Sequence, residues 1–294
     1  MIWQTSRFRI DLSRPQVMGI VNITPDSFSD GGAHATHSAA LSHCEQLLRD
    51  GADILDLGAE STRPGATPVP VVEELERLLP VLREATRLGV PLSIDSYKPQ
   101  VMRAALELGA DIINDVWALR WQDAEDALDG RDVVVAHPAC GVCLMHMHGE
   151  PRTMQIRPMD GDALTTVHEF LRDAAQDLRA RGVAQERICL DPGIGFGKTV
   201  AQNFSLLAHQ TSLLDLGYPL LAGWSRKSSL GAVASLPTQS AVPDGQHERM
   251  APSIAAALLA VERGASIVRV HDVRETVQAL KVLAAVQQSA SRAS

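Results

Sequence analysis

Short apolar runs of strand type, each followed by a longer segment with helical spacing, recur eight times along the 294 residues, and that repetition leaves few folds open. The runs are Met18–Asn22, Asp53–Gly58, Pro91–Asp95, Asp111–Asn114, Val142–Met145, Arg187–Asp191, Leu220–Trp224 and Ser266–Val270. Between them, helices are predicted near Ser38–Asp50, over Val72–Leu88, where Leu75, Leu78, Leu79 and Leu82 keep helical spacing, and over Lys98–Leu108, ended by Gly109. Others follow at Ala163–Arg181, near Asn203–Leu216, from about Lys227, at Ala251–Arg263 and at Val273–Gln288. Within Gln122–Gly141, Val133–Val135 has strand character, yet Ala124–Ala136 also suits a helix interrupted at Asp129-Gly130; the helix is preferred because Val142–Met145 is the better fifth strand. Eight strand-plus-helix units predict a single-domain α/β protein, a closed (β/α)₈ TIM barrel ordered over about residues 15–288, with a surface loop at 236–248 and a frayed tail at 289–294. A doubly wound open sheet would call for a glycine fingerprint after the first strand, and none is there.

Composition agrees with that architecture. Aromatics are only 4 % of residues, so the core must be built from Leu, Val, Ile and Ala, as in parallel sheets wrapped by helices. With 27 Lys and Arg against 35 Asp and Glu, the net charge of −8 argues against a nucleic-acid or membrane-surface partner. No signal-peptide pattern and no long apolar run appears, which predicts a soluble, cytoplasmic protein. Cys44, Cys140, Cys143 and Cys189 are too few and scattered for a disulfide framework. Cys140 and Cys143 with His146 and His148 have the residue types of a zinc set, but Val142–Met145 reads as a buried strand whose alternate side chains point apart. Gly193–Thr199 imitates a phosphate loop, with Pro192 where its first glycine belongs.

Function is expected at the carboxyl ends of the strands. There stand Asn22, Glu60 with Thr62 and Arg63, Asp95, Asn114, Met145 with His146, Asp191, Ser225-Arg226-Lys227-Ser228, and Arg269 with His271. A barrel built for stability alone has no reason to crowd one rim with such side chains. After Asn22 the chain runs through a polar, Pro- and Gly-bearing loop to Gly32, longer than a compact domain needs for a connection. Asp95, Asn114, Asp191 and Lys227 suit the hydrogen-bonding edge of a nitrogen heterocycle; a buried ion pair of Lys227 with one aspartate is the purely structural alternative. Arg63, Arg269, His271 and Asn22 form an anion set, and Ser228 opens a helix whose N–H groups suit a carboxylate.

The segments MGIVNITPDSFSDGG, DLGAESTRPG, SIDSYKP, INDV, CLMHMHGEPRTMQ, LDPGIGFGK, SRKSSLG and IVRVHDV resemble, from Met18 to about Ala284, the dihydropteroate synthases of folate synthesis. The resemblance implies condensation of dihydropterin pyrophosphate with 4-aminobenzoate, Mg²⁺ as cofactor and a homodimer. It assigns a pterin pocket to Asp95, Asn114, Met145, Asp191, Gly223 and Lys227, and pyrophosphate to Asn22, Arg63, Arg269 and His271, with Asn22 also on the metal. Aminobenzoate falls to Thr62, Arg63, Pro64, Phe196, Lys227 and Ser228, and the catalytic residues would be Asp95, Lys227, Arg269, His271 and Asn22. His148, where relatives often have Gln, and the loop at 236–248 depart from the family pattern. Two rivals are a corrinoid-linked pterin methyltransferase, against which the PDSFSDGG loop and SRKS speak, and a non-catalytic pterin-binding paralogue, which would be expected to lose the anion set.

Overall fold

A strand that is apolar on both faces needs cover inside and out, and this chain supplies it by closing its sheet. In the computed structural model, which describes residues 1–24, 32–61, 66–122, 127–151, 153–234 and 249–293, the chain opens with a small antiparallel hairpin of β1 (Ile2–Gln4) and β2 (Arg9–Asp11). Then come β3 (Gln16–Asn22), β4 (Ile54–Gly58), β5 (Leu92–Asp95), β6 (Ile112–Asp115), β7 (Gly141–Met145), β8 (Ile188–Asp191), β9 (Leu220–Ala222) and β10 (Ala265–Val270). These eight pair in parallel and in sequence order, and β10 returns to β3 with Arg269 opposite Met18, so the barrel closes as the repetition predicts.

Around it lie α1 (Gly32–Arg49), α2 (Val71–Ala85), α3 (Pro99–Leu108), α4 (Gly130–Ala136), α5 (Ala163–Ala180), α6 (Val200–Ala208), α7 (Ser228–Ala234), α8 (Met250–Glu262) and α9 (Val273–Ala293). Outward-facing Val17, Leu55, Leu57, Ile94, Val142 and Leu190 join the apolar helix faces in one continuous core. Inside the barrel, Met18, Ile54, Ile112, Cys143, Cys189, Leu221 and Ile267 make an apolar floor, sealed from below by Trp3 and Ile10 of the hairpin. Trp3 is fully buried and its indole N–H donates to the Arg187 carbonyl at 3.0 Å, so truncating it to Ala would cost about 3–5 kcal/mol. Arg7 clamps the hairpin through both oxygens of buried Asp111. Because side chains alternate along a strand, the residues two positions above this floor also face inward, and those are Ile20, Asp56, Asn114, Met145, Asp191, Gly223 and Arg269.

Several elements differ from their sequence reading. The hairpin at residues 2–11 lies outside the expected ordered range, its strands being too short for a periodic signal. The expected helix near Asn203–Leu216 begins at Val200, where Thr199 and Gln202 form a reciprocal capping box, and gives way to a 3-10 helix over Gln210–Leu216. Asp129 caps α4 through the Arg131 N–H, so the preferred helix holds over Gly130–Ala136. The tail expected to fray continues α9 through Ala293. The proposed loop at 236–248 lies outside the described residues, as do residues 25–31 of the first long loop.

Candidate active site

The strand ends open into a cleft of about 530 Å³ whose lining includes Asn22, Glu60, Ser61, Asp95, Phe196, Gly223, Lys227, Ser228, Arg269 and His271. A narrower extension descends into the barrel between Asp95, Asn114, Met145, Asp191, Gly223 and Lys227. The six residues assigned to a pterin pocket are therefore brought together, and Arg269 lines both spaces. Gly58 faces the Asp95 side chain at 3.4 Å from where its own Cβ would lie, so a larger residue would crowd that carboxylate.

Two acids hold the Arg269 guanidinium. Its Nε donates to Asp56 at 2.6 Å and its Nη2 to Asp95. Burial opposes charge on this arginine, but Asp56 and Asp95 outweigh it and hold its pKa above the usual arginine value. Asp56 has no solvent exposure and also accepts from the Asn114 amide at 3.3 Å, which fixes which end of that amide faces the pocket. Burial pushes the Asp95 carboxyl up to about 7, against the pull of Arg269 and with the help of Asp56. Asp191 is also raised by burial, although its Oδ1 accepts the Gly193 N–H at 2.7 Å.

Lys227 follows β9, the barrel neighbour of β8, which ends in Asp191. Its ammonium lies 4.2 Å from the centre of the Phe196 ring, a cation–π arrangement, and burial lowers its pKa to about 8. Among the described residues no aspartate lies within salt-bridge distance of Lys227, although the charges of Asp191 and Asp95 favour its protonated form. His271 meets Ser225 twice, its Nδ1 at 3.0 Å and its backbone N–H at 3.1 Å from the hydroxyl. The preceding rim is held by Arg226, which pairs with Asp272 at 2.7 Å and sits at a positive φ of 60°.

Phe196 owes its place to a lysine. The Lys198 ammonium is buried and donates to the carbonyl oxygens of Gly193 at 2.8 Å, Phe196 at 3.1 Å and His146 at 3.2 Å. The segment that imitates a phosphate loop thus turns its lysine onto its own backbone. A Cβ on Gly193 would lie 1.8 Å from the His146 carbonyl oxygen, and one on Gly197 2.2 Å from that of His148, so these glycines let two strand ends approach. Both also hold φ near 69°.

His146 is a correction to the list of rim residues. Its ring is buried against Phe170 at 5.0 Å, away from the cleft, and burial with nearby Lys198 drops its pKa to about 3. The zinc-like set does not assemble either: Cys140 lies 3.2 Å from Arg187, whereas Cys143 packs with Cys189 in the apolar interior of the barrel. Thr62, Arg63 and Pro64 lie outside the described residues. Sequence reasoning gave no role to Asp56, which sits in mid-strand, to Met154 and Gln155, which end the CLMHMHGEPRTMQ segment, or to Arg249, and the last three line the cleft. The alternation of inward residues in Ile54–Gly58 carried the signal for Asp56.

Residues 18–271 match the family described as pterin binding enzyme. The chain is 48 % identical over 283 residues to the dihydropteroate synthase of Neisseria meningitidis serogroup C, covering 95 % of both chains. It is 43 % identical over 277 residues to that of Escherichia coli (strain K12), covering 94 % of this chain and 93 % of the other. Among solved structures, Xanthomonas albilineans dihydropteroate synthase with 4-aminobenzoic acid is 47 % identical, with a TM-score of 0.84 and coverage of 95 % and 96 %. Burkholderia cenocepacia dihydropteroate synthase complexed with 7,8-dihydropteroate is 49 % identical, with a TM-score of 0.84 and coverage of 99 % and 98 %. Extending over nearly the full length of chain and relatives alike, these likenesses show that the chain belongs to the pterin-binding enzyme family, among its dihydropteroate synthases.

Proposed function

We propose that the chain condenses 6-hydroxymethyl-7,8-dihydropterin pyrophosphate with 4-aminobenzoate, giving 7,8-dihydropteroate and pyrophosphate, and that the barrel mouth divides the work. The observation that carries this reading is the continuity of the two spaces: a narrow polar slot between Asp95, Asn114, Asp191 and Lys227 opens directly beneath Arg269, His271, Asn22 and Ser228. A flat heterocycle in the slot would present its methylene group upward. Asp95 and Asp191 accept from ring N–H groups, and the Asn114 amide and Lys227 ammonium meet the remaining ring edge.

The carbon–oxygen bond breaks with its electron pair leaving on pyrophosphate, where Arg269 and His271 take up the developing charge. The positive charge left on the methylene spreads into the electron-rich ring beside the two aspartates. The aniline nitrogen of 4-aminobenzoate then forms the new carbon–nitrogen bond and releases its proton to water, so no dedicated base is needed. Phe196 and Lys227 flank that incoming ring, and Ser228 offers its end of α7 to the carboxylate.

Among the described residues no group of three or more His, Cys, Asp or Glu side chains could hold a metal ion. Asn22 lines the cleft beside Arg269 and His271, and its amide oxygen, a hard neutral donor, would help to hold Mg²⁺ brought in with the pyrophosphate. When bound, Mg²⁺ adds positive charge against the leaving group.

The homodimer is part of the same proposal. Val282 and Val286 stand exposed one turn apart on α9, at 67 % and 61 %, and Leu259 on neighbouring α8 is exposed as well, an apolar face suited to a second copy. Four free, buried cysteines suit the reducing cytoplasm, and no helix among the described residues is long and apolar enough to cross a membrane.

The test is to mix the protein with dihydropterin pyrophosphate and 4-aminobenzoate, with Mg²⁺ or with chelator. Pyrophosphate and dihydropteroate should form in equal amounts and fall sharply with chelator. Pyrophosphate without dihydropteroate would mean that water, not the amine, captures the carbon. Sedimentation at micromolar concentration tests the dimer, and a monomer there would remove that part.

A further inference from the structure

The reaction leaves unused a buried charged cluster just behind the cleft wall. Lys98, of the SIDSYKP segment, is 4 % exposed at its side chain and donates to Glu60, to Glu74 and to the Val69 carbonyl. Glu74 on α2 is 1 % exposed, and the Glu60 side chain is 7 % exposed. Tyr97 completes the cluster, its hydroxyl donating to the second Glu60 oxygen at 2.9 Å. One residue earlier, the Ala59 carbonyl accepts from Arg77 of α2 at 3.2 Å.

The arrangement has a direction. Glu60 and Ser61 line the cleft where the β4–α2 connection leaves the barrel, and Val69 is where that connection rejoins α2. A single ammonium therefore grips both flanks of the connection. In sequence, Thr62, Arg63 and Pro64, the residues assigned to aminobenzoate, fall between those two grips. Tyr97 is anchored in turn: its ring packs edge-on against Trp121 at 5.2 Å and beside Trp117 at 6.4 Å. A surface pair would be too weak to fix a connection, but burial raises the cost of separating these partners. Salt bridges are a poor way to gain stability in a core, and apolar side chains would fill this space at lower cost. What the cluster does provide is one allowed position for Glu60 relative to α3.

We propose that Lys98 and Tyr97 are positioning residues for the second substrate: by holding Glu60 and Val69 they set the cleft wall against which 4-aminobenzoate is placed. This rests on the reaction proposed above and adds to it a pair of residues that touch neither substrate. Asp95 lies on β5 only two positions before Tyr97, yet its own partner is Arg269; the Tyr97 ring shares an apolar cluster with Val116 and Met145 of the pterin slot, so the Tyr97 hydroxyl, and not the ring, is the part that serves Glu60 alone.

Steady-state kinetics of Tyr97→Phe and Lys98→Met against both substrates test it. Tyr97→Phe keeps the ring and its tryptophan contacts and releases one Glu60 oxygen. Since a hydrogen bond to a charged group is lost at one remove from the ligand, KM for 4-aminobenzoate should rise about threefold to tenfold. KM for dihydropterin pyrophosphate should stay within about twofold. Lys98→Met should widen the same split; if it strands two carboxylates and fails to fold, Tyr97→Phe decides alone. Equal changes in both KM values, or no change in either, would overturn the proposal. The wild-type protein is assayed first: no dihydropteroate there refutes the reaction, whereas normal turnover with unselective variants refutes only the positioning role.

Discussion

Replacing Asp56 with Asn tests whether the barrel interior, and not only its rim, sets the chemistry. Asp56 is without exposure and serves Arg269 at 2.6 Å and Asn114 at 3.3 Å. Asparagine keeps the volume and one acceptor but removes the charge, and its new N–H₂ faces a donor whichever way the amide turns. Outright breakage of a buried ion pair costs about 3–5 kcal/mol and loss of a charged hydrogen bond about 1.5–3 kcal/mol. Because Arg269 keeps Asp95, the lower range applies, and about 2–3 kcal/mol is expected. In a chain of this size that lowers Tm by roughly 4–12 °C. The change also has a sign in pH. Asp56 helps to raise Asp95, so without it the Asp95 pKa falls below about 7, and the acidic limb of kcat/KM for dihydropterin pyrophosphate moves to lower pH. Calorimetry and a pH–rate series on the same preparation measure both. A Tm within about 1 °C of wild type, or an acidic limb moved upward, would refute the reasoning.

In the wild-type protein, kcat/KM should rise as Asp95 ionises through about pH 7 and fall as Lys227 loses its proton through about pH 8, a narrow bell; a flat profile from pH 6 to 9 would remove both assignments. Arg269→Ala takes away a charge that lowers both groups, so the bell should move to higher pH, and bare pterin affinity at pH 7 should fall and recover in part near pH 9 when titrated by calorimetry. Gly193→Ala should unfold the rim, because its Cβ meets the His146 oxygen at 1.8 Å at a φ of 69°; a soluble variant with wild-type pterin affinity would contradict that contact.

The barrel was legible because a strand buried on both faces is an unbroken apolar run, and because polarity returns abruptly where each run ends. Asp95, Asn114 and Asp191 are such returns, and the structure brings them to one slot. The same rule misplaced His146: it follows Met145 directly, and residues adjacent in a strand point to opposite sides. Asp56 was passed over for the converse reason: it opens the DLGAESTRPG segment but stands in mid-strand between Leu55 and Leu57, away from the strand ends, and only barrel closure sets it beside Arg269, 213 residues away. The clean division into a heterocycle set and an anion set was also a product of reading linearly. Arg269 belongs to both, since Asp95, one of the two acids placed beside the ring, is its own partner.

Lys198 bears on how the protein responds to its ionic surroundings. An ammonium enclosed by carbonyl oxygens from two strand ends is coordinated much as a bound potassium ion would be, with the difference that this cation is tethered by a covalent chain and has no dissociation constant. The turn carrying Phe196 should therefore keep its shape in buffers of sodium, potassium or neither. Shortening the side chain in Lys198→Ala would convert the enclosure into an ordinary ion site, and activity indifferent to the choice of monovalent salt should become dependent on it.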